Sequence, residues 1–187
     1  GELSADYGKT DGEETRNRTF AAGQVDRKFE NPRWSSYVRG SYEQDQFSGF
    51  DSRAFLGAGI GFLAVDQENT KWSLEGGPGY RIDELAPVYD ANDVLVTDST
   101  TEESAAFRAG SRFTHAFNES VHFSNDTDVI YTELTTQLVN TAAITAQLMG
   151  NLSARLSYDV RHDTEAPADR EATDTATRFS LVYGFGD

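Results

Sequence analysis

Apolar side chains in this chain recur at every second position, almost from end to end. In residues 51–65, Ala54, Leu56, Ala58, Ile60, Phe62 and Ala64 take the even positions, opposite Arg53, Gly57, Gly59 and Gly61. Residues 71–82 continue with Trp72, Leu74, Pro78, Tyr80 and Ile82 against Ser73, Glu75 and Arg81. Residues 152–161 set Leu152, Ala154, Leu156, Tyr158 and Val160 against Ser153, Arg155, Ser157, Asp159 and Arg161. The last run sets Thr175, Thr177, Phe179, Leu181, Tyr183 and Phe185 against Arg178, Ser180 and Gly184. A period of two puts neighbours on opposite faces of a strand, whereas a helix needs 3.6. No segment sustains the helical period, so the chain is confined to all-β folds.

The pattern predicts about ten strands, near residues 2–9, 15–29, 34–44, 52–65, 71–83, 104–115, 120–130, 135–149, 151–163 and 174–185. Several exceed the about 9–11 residues with which a tilted strand crosses a bilayer, and soluble strands average about five or six. The connections alternate. Asn31 to Arg33, Asp66 to Thr70, Ala116 to Glu119 and Met149 to Asn151 are short. Lys9 to Glu14, Gln44 to Asp51, Glu84 to Glu103, Tyr131 to Leu134 and Thr164 to Thr173 are mostly longer and rich in Asp and Glu. Short turns at one end and long loops at the other are the asymmetry of outer-membrane barrels. The expected fold is therefore a single domain over residues 1–187, an antiparallel up-and-down transmembrane β-barrel of about ten strands. A lipocalin-like soluble barrel, with the apolar face turned inward, is the alternative.

Composition narrows the function. The 187 residues hold 16 Lys+Arg against 31 Asp+Glu, a formal net charge of −15. Such a chain lacks the clustered cations that nucleic acid requires. It has no Cys and three His, which removes disulfides, thiol nucleophiles and a confident zinc site. No motif calls for a metal or a cofactor. The chain opens at Gly1 without Met or a signal peptide and reads as a processed or trimmed product.

The polar face carries both charge signs at mid-strand: Arg39, Arg53, Glu75, Arg81, Arg108, Arg112, Arg155, Asp159, Arg161 and Arg178. In a membrane barrel these face the lumen and are expected to pair across it, nearly filling a narrow interior. The apolar face carries Tyr7, Phe29, Trp34, Tyr42, Trp72, Tyr80, Phe107, Phe113, Phe123, Tyr158, Tyr183 and Phe185. These aromatics gather toward strand ends, as interfacial girdles do. Pro78 interrupts this pattern. It lacks a ladder donor, and Gly76-Gly77-Pro78-Gly79 predicts a bulge or kink.

Several segments carry a family resemblance. They are Tyr42 to Arg53 (YEQDQFSGFDSR), Gly57 to Gly61 (GAGIG), Leu74 to Arg81 (LEGGPGYR), Leu156 to Arg161 and Leu181 to Phe185. Together they resemble the YdiY-like salt-induced outer-membrane proteins, a domain of unknown function, from about Glu14 to Phe185. The resemblance implies an outer-membrane barrel and no particular reaction. Members of that family usually begin with a further hairpin bearing Gly-Asn-Thr, which would bring the barrel to about twelve strands. The terminal Phe read by the barrel-insertion machinery is here followed by Gly186-Asp187.

Other constellations are weaker. Asp90-Ala91-Asn92-Asp93 offers oxygen ligands for Ca²⁺ but lacks an EF-hand Gly and Glu, so a solvated acidic loop is expected. His122 and Ser124 share a strand face and resemble the pair of outer-membrane lipid A deacylases. Their parity turns them to the lumen, away from lipid. His115 and His162 read as interfacial residues. Gly57 to Gly61 lies in a strand with no helix following, so it is no dinucleotide fingerprint.

The expected function is non-enzymatic: a small outer-membrane barrel with a structural, envelope-stress or surface-assembly role. Its partners are outer-membrane lipid and lipopolysaccharide, the insertion machinery during biogenesis, and further copies of itself. A narrow channel for small ions or solutes is the alternative, and a lipid hydrolase a third. The acidic loops are expected outside and the termini in the periplasm.

Overall fold

The computed structural model describes residues 2–10, 13–45, 50–89, 95–164 and 172–183, with side chains placed from residue 18 onward except at 88 and 89. Its strands are β1 (Glu2–Thr10), β2 (Glu13–Lys28), β3 (Trp34–Asp45), β4 (Phe50–Asp66), β5 (Thr70–Leu85), β6 (Val88–Tyr89), β7 (Leu95–Thr97), β8 (Thr100–Ala116), β9 (Val121–Thr132), β10 (Thr136–Met149), β11 (Leu152–Asp163) and β12 (Thr173–Tyr183). One antiparallel sheet runs β1-β2-β3-β4-β5-β8-β9-β10-β11-β12, and β6 pairs with β7 in a small hairpin of its own. The main sheet joins successive strands, which is the up-and-down order expected.

The sheet rolls up. In its order β4, β5, β8, β9 and β10 lie between β3 and β11, yet Arg161 of β11 reaches Glu43 of β3 at 2.7 Å. Arg53 of β4 likewise reaches Asp163 of β11 at 3.0 Å. A flat or gently twisted sheet holds such strands tens of ångströms apart at about 4.8 Å per step. Among the described residues no ladder joins β1 to β12, the two ends of the order.

The burial is inverted relative to a soluble protein. Arg81 is 2% exposed and Arg108 3%, while Leu56 is 64% exposed and Phe107 53%. Buried charge with an outer coat of large apolar side chains belongs in lipid, not in water. The lipocalin-like alternative fails on this point, and the fold is an all-β transmembrane barrel.

Two features depart from expectation. First, Pro78 causes no bulge. It faces outward opposite Phe107 in the unbroken β5–β8 ladder, and the β4–β5 register is the same on both sides of it. The bulges fall elsewhere, at Asp51 and Ala64 of β4. The first turns Phe50 inward, against the strand's parity, where it is buried. Second, the links 11–12, 46–49 and 133–135 are short, because β1, β2, β3, β4 and β9 extend into what read as loop. Glu13 and Glu14 lie in β2, and Glu102 and Glu103 in β8. The long connections that remain at this end are 86–99 and 164–172. The opposite end carries the links 29–33, 67–69, 117–120 and 150–151, the last turning on Gly150 at φ 53°.

Glycines mark a sharp corner between β4 and β5, as a run of glycines in a barrel wall allows. Gly57, Gly59 and Gly61 face inward on β4, and Gly77 and Gly79 on β5. The Phe55 ring lies over two of them; a Cβ at Gly57 would meet it at 2.6 Å and one at Gly79 at 2.5 Å. The ring fills the space that the missing side chains leave, as an aromatic does over a glycine kink.

Candidate functional site

The site is the lumen. Strand parity brings every proposed lumen charge to the inner face, and the charges sort into three groups. Nearest the long loops, Glu43 accepts from Arg18 at 2.6 Å and from Arg161 at 2.7 Å. Beside it, Asp83 holds Arg53 at 3.0 Å and Arg81 at 2.8 Å, and Arg53 also donates to Asp163 at 3.0 Å. Thr135 donates to the other oxygen of Asp163 at 2.5 Å. The Arg53 guanidinium lies 4.0 Å from the Phe50 ring centroid, the cation–π contact that the Asp51 bulge makes available.

At mid-height Arg108 binds Glu75 at 2.9 Å and Asp128, with its guanidinium 5.4 Å from the Tyr37 ring centroid. Gln24 of β2 donates to Glu75 from across the lumen at 3.1 Å. Two further pairs are more exposed: Arg112 with Asp126 at 3.0 Å, and Arg178 with Asp159 at 2.6 Å. Arg39 lines the interior and Arg155 faces it. Among the described residues neither has an ion-pair partner. The interior is less filled than expected, because side chains swing to the walls in pairs and glycines line one corner. It encloses a cavity of about 950 Å³ with both charge signs on its wall.

The outer wall carries the aromatics. Trp34 packs on Phe62 at 4.6 Å, and Phe113 lies 6.2 Å from Phe123, both near the short turns, where Trp72 and Tyr183 also sit. Phe29 lies in the link 29–33. Tyr42 and Tyr80 lie toward the long loops, and the Tyr80 hydroxyl donates to Glu103 at 2.7 Å. Phe107 and Tyr158 stand mid-strand, away from either rim. The Tyr7 side chain, Phe185 and residues 90–93 lie outside the described residues.

The hydrolase pair does not assemble. His122 and Ser124 both take the inward parity, but no hydrogen bond joins them among the described residues. His115 and His162 bond Thr70 and Thr173 instead, each at 2.8 Å. No group of His, Asp and Glu among the described residues is placed to hold a metal ion.

The alternation identified ten lumen charges, Glu75 and Asp159 among them, but not Arg18, Glu43, Asp83, Asp126, Asp128 and Asp163. These sit on the same inward parity within the predicted strands and were legible from the alternation alone. Tyr37, Phe50 and Phe55 were missed because aromatics were assigned to the outer face alone.

A family model matches residues 1–185 and is described as a protein of unknown function, DUF481. The chain belongs to the DUF481 family. Membership agrees with the resemblance carried by Tyr42 to Arg53 and Leu74 to Arg81. No curated protein sequence matches this member of the family. Among solved structures, "NanC porin structure in rhombohedral crystal form" is similar to it, with 11% identity and a TM-score of 0.45. That match covers 90% of this chain and 94% of the other.

Proposed function

We propose that this DUF481 protein is a non-enzymatic outer-membrane barrel whose lumen is latched shut at the long-loop end. The observation that carries the reading is the level of ion pairs spanning the lumen, Arg161–Glu43 and Arg53–Asp163. Those pairs tie β11 to β3 and β4 across the space that a solute would have to pass. A buried, multiply bonded pair resists separation far more than an exposed one. The role is then structural, within the envelope. The apolar coat anchors the barrel in lipid, the long loops and their acids face outward beside lipopolysaccharide, and the termini lie in the periplasm.

The cavity of about 950 Å³, which the latch residues Glu43, Arg53, Arg161 and Asp163 help to line, favours a second reading, a narrow channel for small ions or solutes. Planar-bilayer recording separates the two. The folded wild-type chain is expected to give no resolved conductance steps. The double variant Glu43→Gln, Asp163→Asn is expected to give clear ones, because it removes the acids but keeps their shape. Steps from the wild type as large as the double variant's would overturn the latch and establish the channel.

A further inference from the structure

The outward wall of β8, β9 and β10 carries polar side chains in the middle of an apolar surface. Asp126 and Asp128 point inward to Arg112 and Arg108, and the β9–β10 register is unbroken from Val121 to Tyr131. Asn125 and Thr127 therefore point outward. So does Asn140, paired with Thr127, because Thr141 reaches Asp159 in the lumen. Phe107, Phe113, Phe123, Tyr131, Leu138 and Ile144 surround them on the same face.

The three side chains form a closed ring of hydrogen bonds. Asn125 donates to Asn140 Oδ1 at 3.3 Å, Asn140 to Thr127 Oγ1 at 2.7 Å, and Thr127 to Asn125 Oδ1 at 3.4 Å. Asn140 spends its second N–H on the Asp126 carbonyl at 3.3 Å. A primary amide has two N–H donors and two acceptor lone pairs. By that count Asn125 keeps one N–H and one lone pair unspent, and two bonds of the ring are at the long limit of useful geometry. Acyl chains offer neither donor nor acceptor, so hydrocarbon leaves this capacity unmet. A second amide meets it completely, since each amide is donor and acceptor at once. The patch is thus complementary to itself across a two-fold axis, the commonest symmetry of paired subunits.

We propose that the β8–β10 outer wall is where two copies of this chain meet side by side in the membrane, with the Asn125 amides facing each other at the axis. The proposal rests on the reading of this wall as lipid-facing.

The chain contains no Cys, so a single introduced thiol reports alone. Ala142 is the register partner of Asn125 on the outer face, and Ala142→Cys leaves the polar ring intact. In oxidised native membranes, Ala142→Cys is expected to give a disulfide-linked species of twice the chain mass. Val38→Cys, exposed on the distant β3 wall, is expected to give none. Adding Asn125→Leu and Asn140→Leu to Ala142→Cys is expected to abolish the link while the compact, heat-modifiable barrel persists. A folded Ala142→Cys protein that stays monomeric in the membrane overturns the proposal. So does equal linking at Val38, or a link to a different protein. Recovery of the wild type from the soluble fraction would instead overturn the membrane reading beneath it.

Discussion

A chain carrying valine at Gly77 is expected not to form the barrel. Gly77 faces inward at the β4–β5 corner, where a Cβ would lie 2.5 Å from the Gly59 Cα and still closer to the Ala58 carbonyl oxygen. Both obstacles are main chain. Overpacking against side chains costs about 1–3 kcal/mol, because they turn aside. Main chain yields only by opening the ladder that holds it. The corner has no slack elsewhere, since a Cβ on Gly59 would meet the Gly76 carbonyl and, at 2.7 Å, the Tyr37 hydroxyl. Refolding into detergent and reading the compact band on an unheated gel checks the point. Wild type and Gly23→Ala should both fold, because a Cβ on Gly23 meets nothing within 4 Å. Gly77→Val should remain unfolded, and a normal yield of compact Gly77→Val would show that this corner is wrongly described.

Arg108→Met is the second large effect. The Arg108 side chain is 4% exposed and holds both Glu75 and Asp128. Methionine fills similar volume but leaves two carboxylates without their cation. Breaking a buried pair from one side costs about 3–5 kcal/mol. A more exposed pair offers the comparison. The Arg178 side chain is 48% exposed beside Asp159, and Arg178→Met should cost at most about 1 kcal/mol. Urea unfolding in lipid vesicles measures both. Adding Glu75→Gln and Asp128→Asn to Arg108→Met should recover part of the loss, because the repelling charges are gone. Equal midpoints for the Arg108 and Arg178 variants would contradict the burial described.

Much of this architecture was legible in the sequence for a simple reason. A period of two states both the element and the direction of each side chain, so Arg108 in and Phe107 out followed from adjacent letters. What alternation cannot show is an extra residue. The bulge at Asp51 reverses parity for Phe50, and nothing in its neighbours announces that. Pairing across the lumen was also hidden. Arg53 and Asp163 lie 110 residues apart, and which inward charges meet depends on strand stagger and tilt, which the hydropathy of a strand does not encode. The outer polar ring left a trace that was overlooked. Asn125 and Thr127 occupy the apolar parity of β9 between Phe123 and Val129, and a polar residue on that parity is the exception worth noting.

The latch at the long-loop end also bears on time. Every ladder in the main sheet joins consecutive members of one order, so the wall can zip hairpin by hairpin. The bonds from Arg161 to Glu43 and from Arg53 to Asp163 cannot form until the wall has come round and brought β11 back to β3 and β4. Interactions completed after the rate-limiting step leave the folding rate unchanged and slow unfolding instead. These pairs therefore govern how long an inserted barrel persists rather than how fast it arises. The acids Glu43 and Asp163 are then expected to act on the lifetime of the folded molecule, and Glu43→Gln with Asp163→Asn to shorten it.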